Sequence, residues 1–406
     1  MTRIKPELET FAKIKVVGIG GGGSNAVTRM VTGRMKGVDF ITVNTDAQDL
    51  HHSQAHTKLH IGKNITRGLG AGMNPELGRQ AAEESREEIQ EVLKGADLVF
   101  ITSGMGGGTG SGASAVVADV ARSLGALTIA VITKPFTFEG AQRSRIAEEA
   151  IGSLKDAVDT LVIIPNDRIF NIISEDTSLL NSFEMVDDIL KQAVFGIADL
   201  ITLPGIINVD FNDVKAIMQD AGSALMGIGF ASGEDRAGKA ARAAINSPLL
   251  ELSIEGAKGV LFNIAGGQDD LKMMEINNAA KIITESVDAG AKIIFGAVHD
   301  PRLKKGEIKI TVIATGFGDM TGGRSPKKEI FIKTAAPVSP EAVQARKDNS
   351  PEANAFSKPT PISVSKPVEN QHSDKKPEVK SKTFTPEVTK ISDDGWDIPA
   401  FIRRRK

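Results

Sequence analysis

Five short apolar runs recur along the first half of this 406-residue chain: KIKVVGIG, VDFITVNT, DLVFITSG, LTIAVITK and TLVIIPN. All are rich in β-branched residues, which suit a pleated, buried strand. Each stands beside a loop and a stretch of helical spacing, for example PELGRQAAEESREEIQEVLKG. Runs that are apolar throughout, rather than alternating, need cover on both faces. That pattern predicts βαβ units and a parallel sheet clothed by helices. A long helical stretch follows, over 178–203. Beyond NVDFNDV a second set of strands begins, ALMGIGFAS, GVLFNIAGG, AKIIFGAVH and IKITVIATG, again with helical stretches between them. The expected architecture is two α/β regions joined by a long helix. No internal repeat is visible.

Composition marks where this pattern stops. All but three of the 41 glycines lie at or before Gly318, and ten of the 17 prolines lie beyond it. Residues 318–395 are rich in Pro, Ser, Lys and Glu, without strand or helix period. Such a segment cannot bury enough apolar surface to offset its chain entropy, so a disordered linker is expected. Residues 1–10 are expected to be a flexible N-terminus. The net charge is −2, so no basic field argues for nucleic acid. There is no cysteine, which excludes disulfide and thiolate chemistry. No run approaches the ~18 apolar residues of a membrane span. The first residues lack the apolar stretch of a signal peptide, and the expected location is cytoplasmic.

Glycine is concentrated where strands meet helices. SGMGGGTGSG (103–112) and VVGIGGGGSNAV (16–27) each follow a strand and open a helix, and RGLGAG (67–72) forms a third cluster. A helix N-terminus offers unpaired N–H groups and partial positive charge. Glycine lets that backbone approach an anion closely, and Thr109 and Ser111 add hydroxyls. Gly18, Gly20 and Gly23 fit G-x-G-x-x-G, a dinucleotide fingerprint that is weak alone. Several such loops on one sheet suggest several phosphates gripped from different sides. Close helix–strand packing is the plain structural alternative.

Two further patterns are read as surface features. GEDRAGKA (233–240) has P-loop spacing, but Ala240 stands where a Mg²⁺-binding hydroxyl belongs, and Glu234 and Asp235 would repel phosphate. It is expected to be a solvated turn before a helix. His52, His56 and His60 are spaced by four, yet KLHIG reads as a strand, which breaks the shared face that zinc would need. No protein-held metal is expected.

Taken in order, GIGGGGSNAV, GLGAG, GGGTGSG, PFTFEGAQR and NVDFNDV resemble the tubulin/FtsZ family, and within it the FtsZ branch of bacterial cell-division GTPases. The resemblance covers residues 11–317 and the extreme C-terminus. It implies a Rossmann-like, parallel-sheet GTP-binding domain over 11–177, a central helix over 178–203, and a second α/β domain with a mixed sheet over 204–317. It implies binding of GTP and GDP with Mg²⁺. Gly21, Gly22, Gly23, Ser24 and Asn25 are the expected nucleotide contacts of the first loop. Ala71, Gly72, Gly107, Gly108, Thr109 and Gly110 are those of the other two. Glu139 and Arg143 are expected at the ribose, and Asn166, Phe183 and Asp187 at the guanine. A carboxylate can accept from the N1–H and 2-amino edge of guanine, and a phenyl face can stack on the base. Without the family, Phe183 reads equally as a core residue of the long helix, and Glu139 with Arg143 as a surface helix pair.

Apart from Arg67 at the start of the third cluster, the glycine loops hold no acidic or basic side chain, so a catalytic group must come from elsewhere. NVDFNDV places Asp210 and Asp213 one turn apart at a helix start. Two carboxylates there could polarise a water and hold a cation. They could equally be a helix cap and a first-turn acid. The resemblance implies that this loop enters the nucleotide site of the next subunit, so that head-to-tail stacking into filaments completes an assembly-dependent GTPase and builds the mid-cell division ring. Two other readings stand beside it: a self-contained dinucleotide enzyme, and a nucleotide-binding regulator without turnover. In the last stretch, 396–406, Ile398, Phe401 and Ile402 form one apolar stripe ahead of a basic end. This peptide is expected to order on docking. The resemblance makes its partners membrane-associated division adaptors, bound through Asp397–Lys406.

Overall fold

The computed structural model describes residues 12–317, apart from 34, 36, 175, 204, 251–252 and 268–270. The expected flexible N-terminus, the linker and the C-terminal peptide lie outside the described residues.

Among the described residues, eleven strands form a single sheet: β1 Ile14–Ile19, β2 Val38–Asn44, β3 Thr57–His60, β4 Leu98–Gly104, β5 Leu127–Lys134, β6 Thr160–Pro165, β7 Gly205–Ile207, β8 Gly222–Ser232, β9 Gly259–Gly266, β10 Lys292–His299 and β11 Glu307–Thr315. The helices of the first half are α1 Gly20–Thr32, α2 Ala47–His52, α3 Lys63–Thr66, α4 Pro75–Glu84, α5 Arg86–Leu93, α6 Gly108–Ser123 and α7 Ala141–Ala157. Helix α8, Leu179–Thr202, is the long central helix, followed by α9 Phe211–Met218, α10 Arg236–Ile245 and α11 Met273–Thr284.

The strand order is β3-β2-β1-β4-β5-β6-β8-β11-β9-β10-β7. The first six strands are parallel throughout. Their order, 3-2-1-4-5-6, is that of the doubly wound dinucleotide fold, in which ligands bind at the strand C-termini where the winding reverses. Here that switch lies between β1 and β4. The later strands are mixed: β11 is antiparallel to β8 and β9, while β9 and β10 run parallel.

Alternate residues of each strand feed two different cores. Val16, Leu98, Phe100 and Ile129 pack with α1 and α8 on one face. Val17, Val99, Ile101 and Ala130 pack with α4 to α7 on the other. This is why the strands read as continuously apolar: both faces are dry. A third core lies under α10 and α11.

The two α/β regions do more than share a helix. β6 pairs in parallel with β8 through Thr160–Gly222, Leu161–Ser223 and Val162–Ala224. Central helix α8 also lies tight against β11, where a side chain on Gly196 would come within 2.7 Å of Thr311 Cγ2. A charge cluster built on buried Asp199 and Asp300 adds to this contact. Arg302 reaches Asp199 of α8 at 2.5 Å and Asp300 at 2.6 Å, and its guanidinium lies 5.2 Å from the Phe195 ring centroid.

Candidate functional site

A cleft of ≈ 350 Å³ opens at the C-terminal ends of β1 and β4, at the switch point of the parallel strands. Its floor is built by α1 and α6. Neither helix has a side-chain cap or an acidic residue in its first turn, because both start on glycine. Their first N–H groups and partial positive charge are left for whatever enters the cleft.

The glycines fall into two physical classes. A side chain on Gly107 would meet no protein atom within 4 Å, so nothing in the fold demands glycine there. At Gly112 it would lie 1.9 Å from the Pro75 carbonyl oxygen, and at Gly78 it would lie 2.3 Å from that of Gly108. These two let α4 and α6 cross at backbone contact. SGMGGGTGSG is therefore both an open cradle and a helix-packing surface, and the two readings of its glycines hold at different positions.

The loops are also tied to one another. The N–H of Gly108 donates to Gly72 O at 2.7 Å, joining the second and third loops. Thr109 Oγ1 and Thr45 Oγ1 are 2.6 Å apart. Thr45 O accepts from Gly70 N and from Thr66 Oγ1. Asn44 Oδ1 accepts from Thr45 N, and Asn44 Nδ2 donates to Asp49 at 2.6 Å. Burial pushes the Asp49 carboxyl up against the pull of its hydrogen bonds. The Asn44–Asp49 turn was not singled out from sequence. Its NTDAQ stretch carries a turn and helix-cap signal, with Asp46 capping α2.

The structure brings most of the expected nucleotide contacts together. Gly21, Gly22, Asn25, Gly72, Gly107, Gly108, Thr109 and Gly110 line the cleft together with Glu139, Arg143, Asn166, Phe183 and Asp187. Gly23, Ser24 and Ala71 sit behind the lining. Gly23 is packed on β4, where a side chain would meet Thr102 O at 2.5 Å, and Ser24 and Ala71 are buried. Ser111 is not among the residues lining the cleft. It is buried, and its hydroxyl accepts the Gly106 N–H at 2.9 Å.

Asn166 is 5% exposed and its Oδ1 has no partner among the described residues, a buried acceptor awaiting a donor. Phe183 meets buried Phe136 edge-on at 5.4 Å and leaves part of its ring exposed. Asp187 accepts from Arg29 Nε at 3.0 Å. Its burial nevertheless pushes its carboxyl up to about 6, with Arg29 pulling the other way. Glu139 and Arg143 do pair, at 2.9 Å, but not along one helix. Glu139 belongs to a separate 3-10 turn, Thr137–Glu139, set off from α7 by Gly140 at φ +100°. There its other oxygen accepts from Phe136 N at 2.9 Å.

Asp210 and Asp213 are elsewhere. Asp210 caps α9 by accepting from Asp213 N at 2.9 Å, and both residues are exposed. Among the described residues, the cleft is lined only by ones between Ile19 and Leu190. The P-loop-like stretch is also outside it. Asp235 is taken by Arg242 at 2.7 Å and by Asn278 at 3.1 Å. His52 and His60 fall in α2 and β3, and no group of His, Asp or Glu among the described residues could hold a metal ion. No described helix is long and apolar enough to cross a membrane.

Residues 13–174 match the model of the Tubulin/FtsZ family GTPase domain, and 222–318 that of the FtsZ family C-terminal domain. Among solved structures, an empty FtsZ dimer from M. jannaschii is 44% identical, with TM-score 0.74, over 77% of this chain and 90% of that one. A mutant of M. jannaschii FtsZ is 44% identical, with TM-score 0.73, over 76% and 92%. CetZ2 of Haloferax volcanii, solved as a GTPgS-bound protofilament, shares the fold at 21% identity and TM-score 0.65, over 74% and 92%. With the 3-2-1-4-5-6 sheet, the glycine cradle at its switch point and both family models in sequence, this chain belongs to the tubulin/FtsZ family.

Proposed function

We propose that the chain binds and hydrolyses GTP and stacks head-to-tail into filaments, its active site completed by Asp210 and Asp213 of the neighbouring copy. One observation carries this reading. Among the described residues, the cleft draws on Ile19 to Leu190 alone, while the exposed carboxylate pair of NVDFNDV stands outside it. The two glycine loops at the α1 and α6 N-termini hold no acidic or basic side chain, and the neighbouring copy would supply the carboxylates that polarise water. A surface meeting a different surface on the next copy gives an open, non-closing assembly.

The triphosphate lies along the α1 and α6 N-termini, held by Gly21, Gly22, Gly72 and Gly107 to Gly110. The ribose meets Glu139 and Arg143. The base enters between Asn166, Phe183 and Asp187, where the unpartnered Asn166 Oδ1 suits a donor on the base. Mg²⁺ would ride on the phosphate oxygens, with the Asp49 carboxylate near the first loop. Its Oδ2 is 3.7 Å from where a Gly21 side chain would begin. When bound, the ion neutralises charge on the transferred phosphoryl group. Arrival of Asp210 and Asp213 would polarise the attacking water. The cellular role that follows is a cytoplasmic division-ring scaffold, linked to membrane adaptors through 397–406.

The test is phosphate release from GTP with Mg²⁺ across a series of protein concentrations. Activity per molecule that is near zero below a threshold and rises above it is the expected result. Activity per molecule that stays flat on dilution means that each chain holds a whole site. Tight NAD binding without GTP binding would favour the dinucleotide enzyme.

A further inference from the structure

Arg29 lies outside the cleft lining yet touches the residue that the base-recognition reading depends on most. It sits on α1, one turn beyond Asn25, and reaches across to α8. Its Nε donates to Asp187 Oδ2 at 3.0 Å, and its Nη2 pairs with Glu184 at 2.9 Å. We infer that Arg29 is a positioning residue for base selection: it aims the Asp187 carboxylate into the cleft and keeps it ionised for the hydrogen-bond edge of guanine. This rests on the proposed nucleotide reading of the cleft.

The chemistry is one of donors and acceptors. Guanine presents two donors side by side, N1–H and the 2-amino group. An ionised carboxylate is acceptor-only, with room for about four hydrogen bonds, so it can serve Arg29 and the base together. A protonated carboxyl would set a donor against a donor. Asp187 is under pressure to protonate. Its side chain is only 15% exposed, and burial, with Glu184 and Asp188 on its own helix, drives its carboxyl up to about 6. Arg29 is the cation that opposes this. The other charged groups lining the cleft, Glu139 and Arg143, are paired with each other. Removing Arg29 therefore moves protonation of Asp187 upward, into the neutral range, and frees its side chain to turn.

The experiment measures binding of GTP and of ITP, which lacks the 2-amino group, by the full chain between pH 5.5 and 8.5. Wild type, Arg29→Met, Arg29→Lys and Asp187→Ala are compared, with thermal unfolding to establish folding. Arg29→Met is expected to weaken GTP binding at least tenfold at pH 6.5 and clearly less at pH 8.5. The midpoint of its pH profile should move up by about one unit. Its preference for GTP over ITP should shrink, and Arg29→Lys should recover most of the loss. An Arg29→Met protein with GTP affinity within twofold of wild type and an unmoved midpoint overturns the inference. So does a loss that is uniform in pH and not recovered by lysine, which marks a merely structural contact. If wild type binds no GTP, or Asp187→Ala binds it unchanged, the base-recognition reading fails and the inference with it.

Discussion

Thr109 of α6 and Thr45 of the turn after β2 face each other hydroxyl to hydroxyl at 2.6 Å, both buried. Thr45 also gives its carbonyl to Gly70 N–H and to the Thr66 hydroxyl. One residue outside every glycine cluster thus ties two of them together. Thr45→Val keeps the shape and removes the hydroxyl. The Thr109 hydroxyl then loses this partner, which costs on the order of 1–2 kcal/mol. A lower thermal midpoint and a several-fold weaker GTP affinity are expected. An unchanged affinity would show that the Thr109 hydroxyl needs no anchoring.

The two classes of glycine separate folding from binding. Gly107→Ala adds a methyl that meets no protein atom, at an extended backbone position that alanine tolerates. Its thermal midpoint should match wild type while GTP affinity falls at least tenfold. Gly112→Ala drives a methyl into the Pro75 carbonyl at 1.9 Å. It should lose more than about 2 kcal/mol of stability, because the α4–α6 contact must open. Equal stability of the two variants would show that the cradle and the packing surface are not distinct.

Much of this layout is legible in the sequence because its causes are local. β-branched runs, glycine at helix starts and the Asp210 cap each act within a few residues. The contacts that are not legible join distant segments. Arg29 and Asp187 are 158 residues apart, and the β6–β8 pairing joins what read as separate regions. The three-residue β7 is too short to show a period. Glu139 and Arg143 have helical spacing, but Gly140 at φ +100° breaks the helix between them. A backbone switch at one glycine leaves no trace in i, i+4 spacing.

Asp187 should trade stability for selectivity. Its folded pKa, about 6, lies above the ordinary 3.8. Ionising it therefore costs more in the folded chain than in the unfolded one. The cost is absent below pH 3.8, grows as pH rises, and is complete above about 6. Two pKa units correspond to on the order of 2–3 kcal/mol. Asp187→Asn removes that cost, so at pH 7 the nucleotide-free variant should be at least as stable as wild type, while its GTP affinity drops. At pH 4 the stability difference should shrink. Urea unfolding at the two pH values reads it, and a large loss of stability at pH 7 would refute it.

Arg302 presents the opposite case. Its removal strands Asp199, which is 3% exposed and already pushed up by burial. Lys309 remains near Asp300 at 3.3 Å, but Asp199 loses its close partner. Arg302→Met should therefore cost about 1–3 kcal/mol at pH 7.5. The cost should ease toward pH 4.5, since the raised carboxyl protonates as pH falls and the stranded charge disappears. A pH-independent loss would assign the effect to the packing of Arg302 on Phe195.

The two roles open to Asp210 can be separated by a single atom. Asparagine caps a helix about as well as aspartate, so Asp210→Asn keeps the bond to Asp213 N–H and removes the charge. If Asp210 is only a cap, this variant unfolds and hydrolyses GTP like wild type. If it polarises water for the neighbouring copy, stability and GTP affinity hold while turnover falls at least tenfold. Mixing then tests where the group acts. A chain carrying Asp210→Asn and Asp213→Asn keeps a sound cleft, and a Gly107→Val chain keeps a sound carboxylate pair. Neither should hydrolyse GTP well alone. Together they form some junctions in which the first chain's cleft meets the second chain's loop, and random stacking in equal amounts makes these about one quarter of all junctions. Recovery toward that fraction of wild-type turnover on mixing is the expected result. Turnover that merely averages the two chains would place the whole reaction within one subunit.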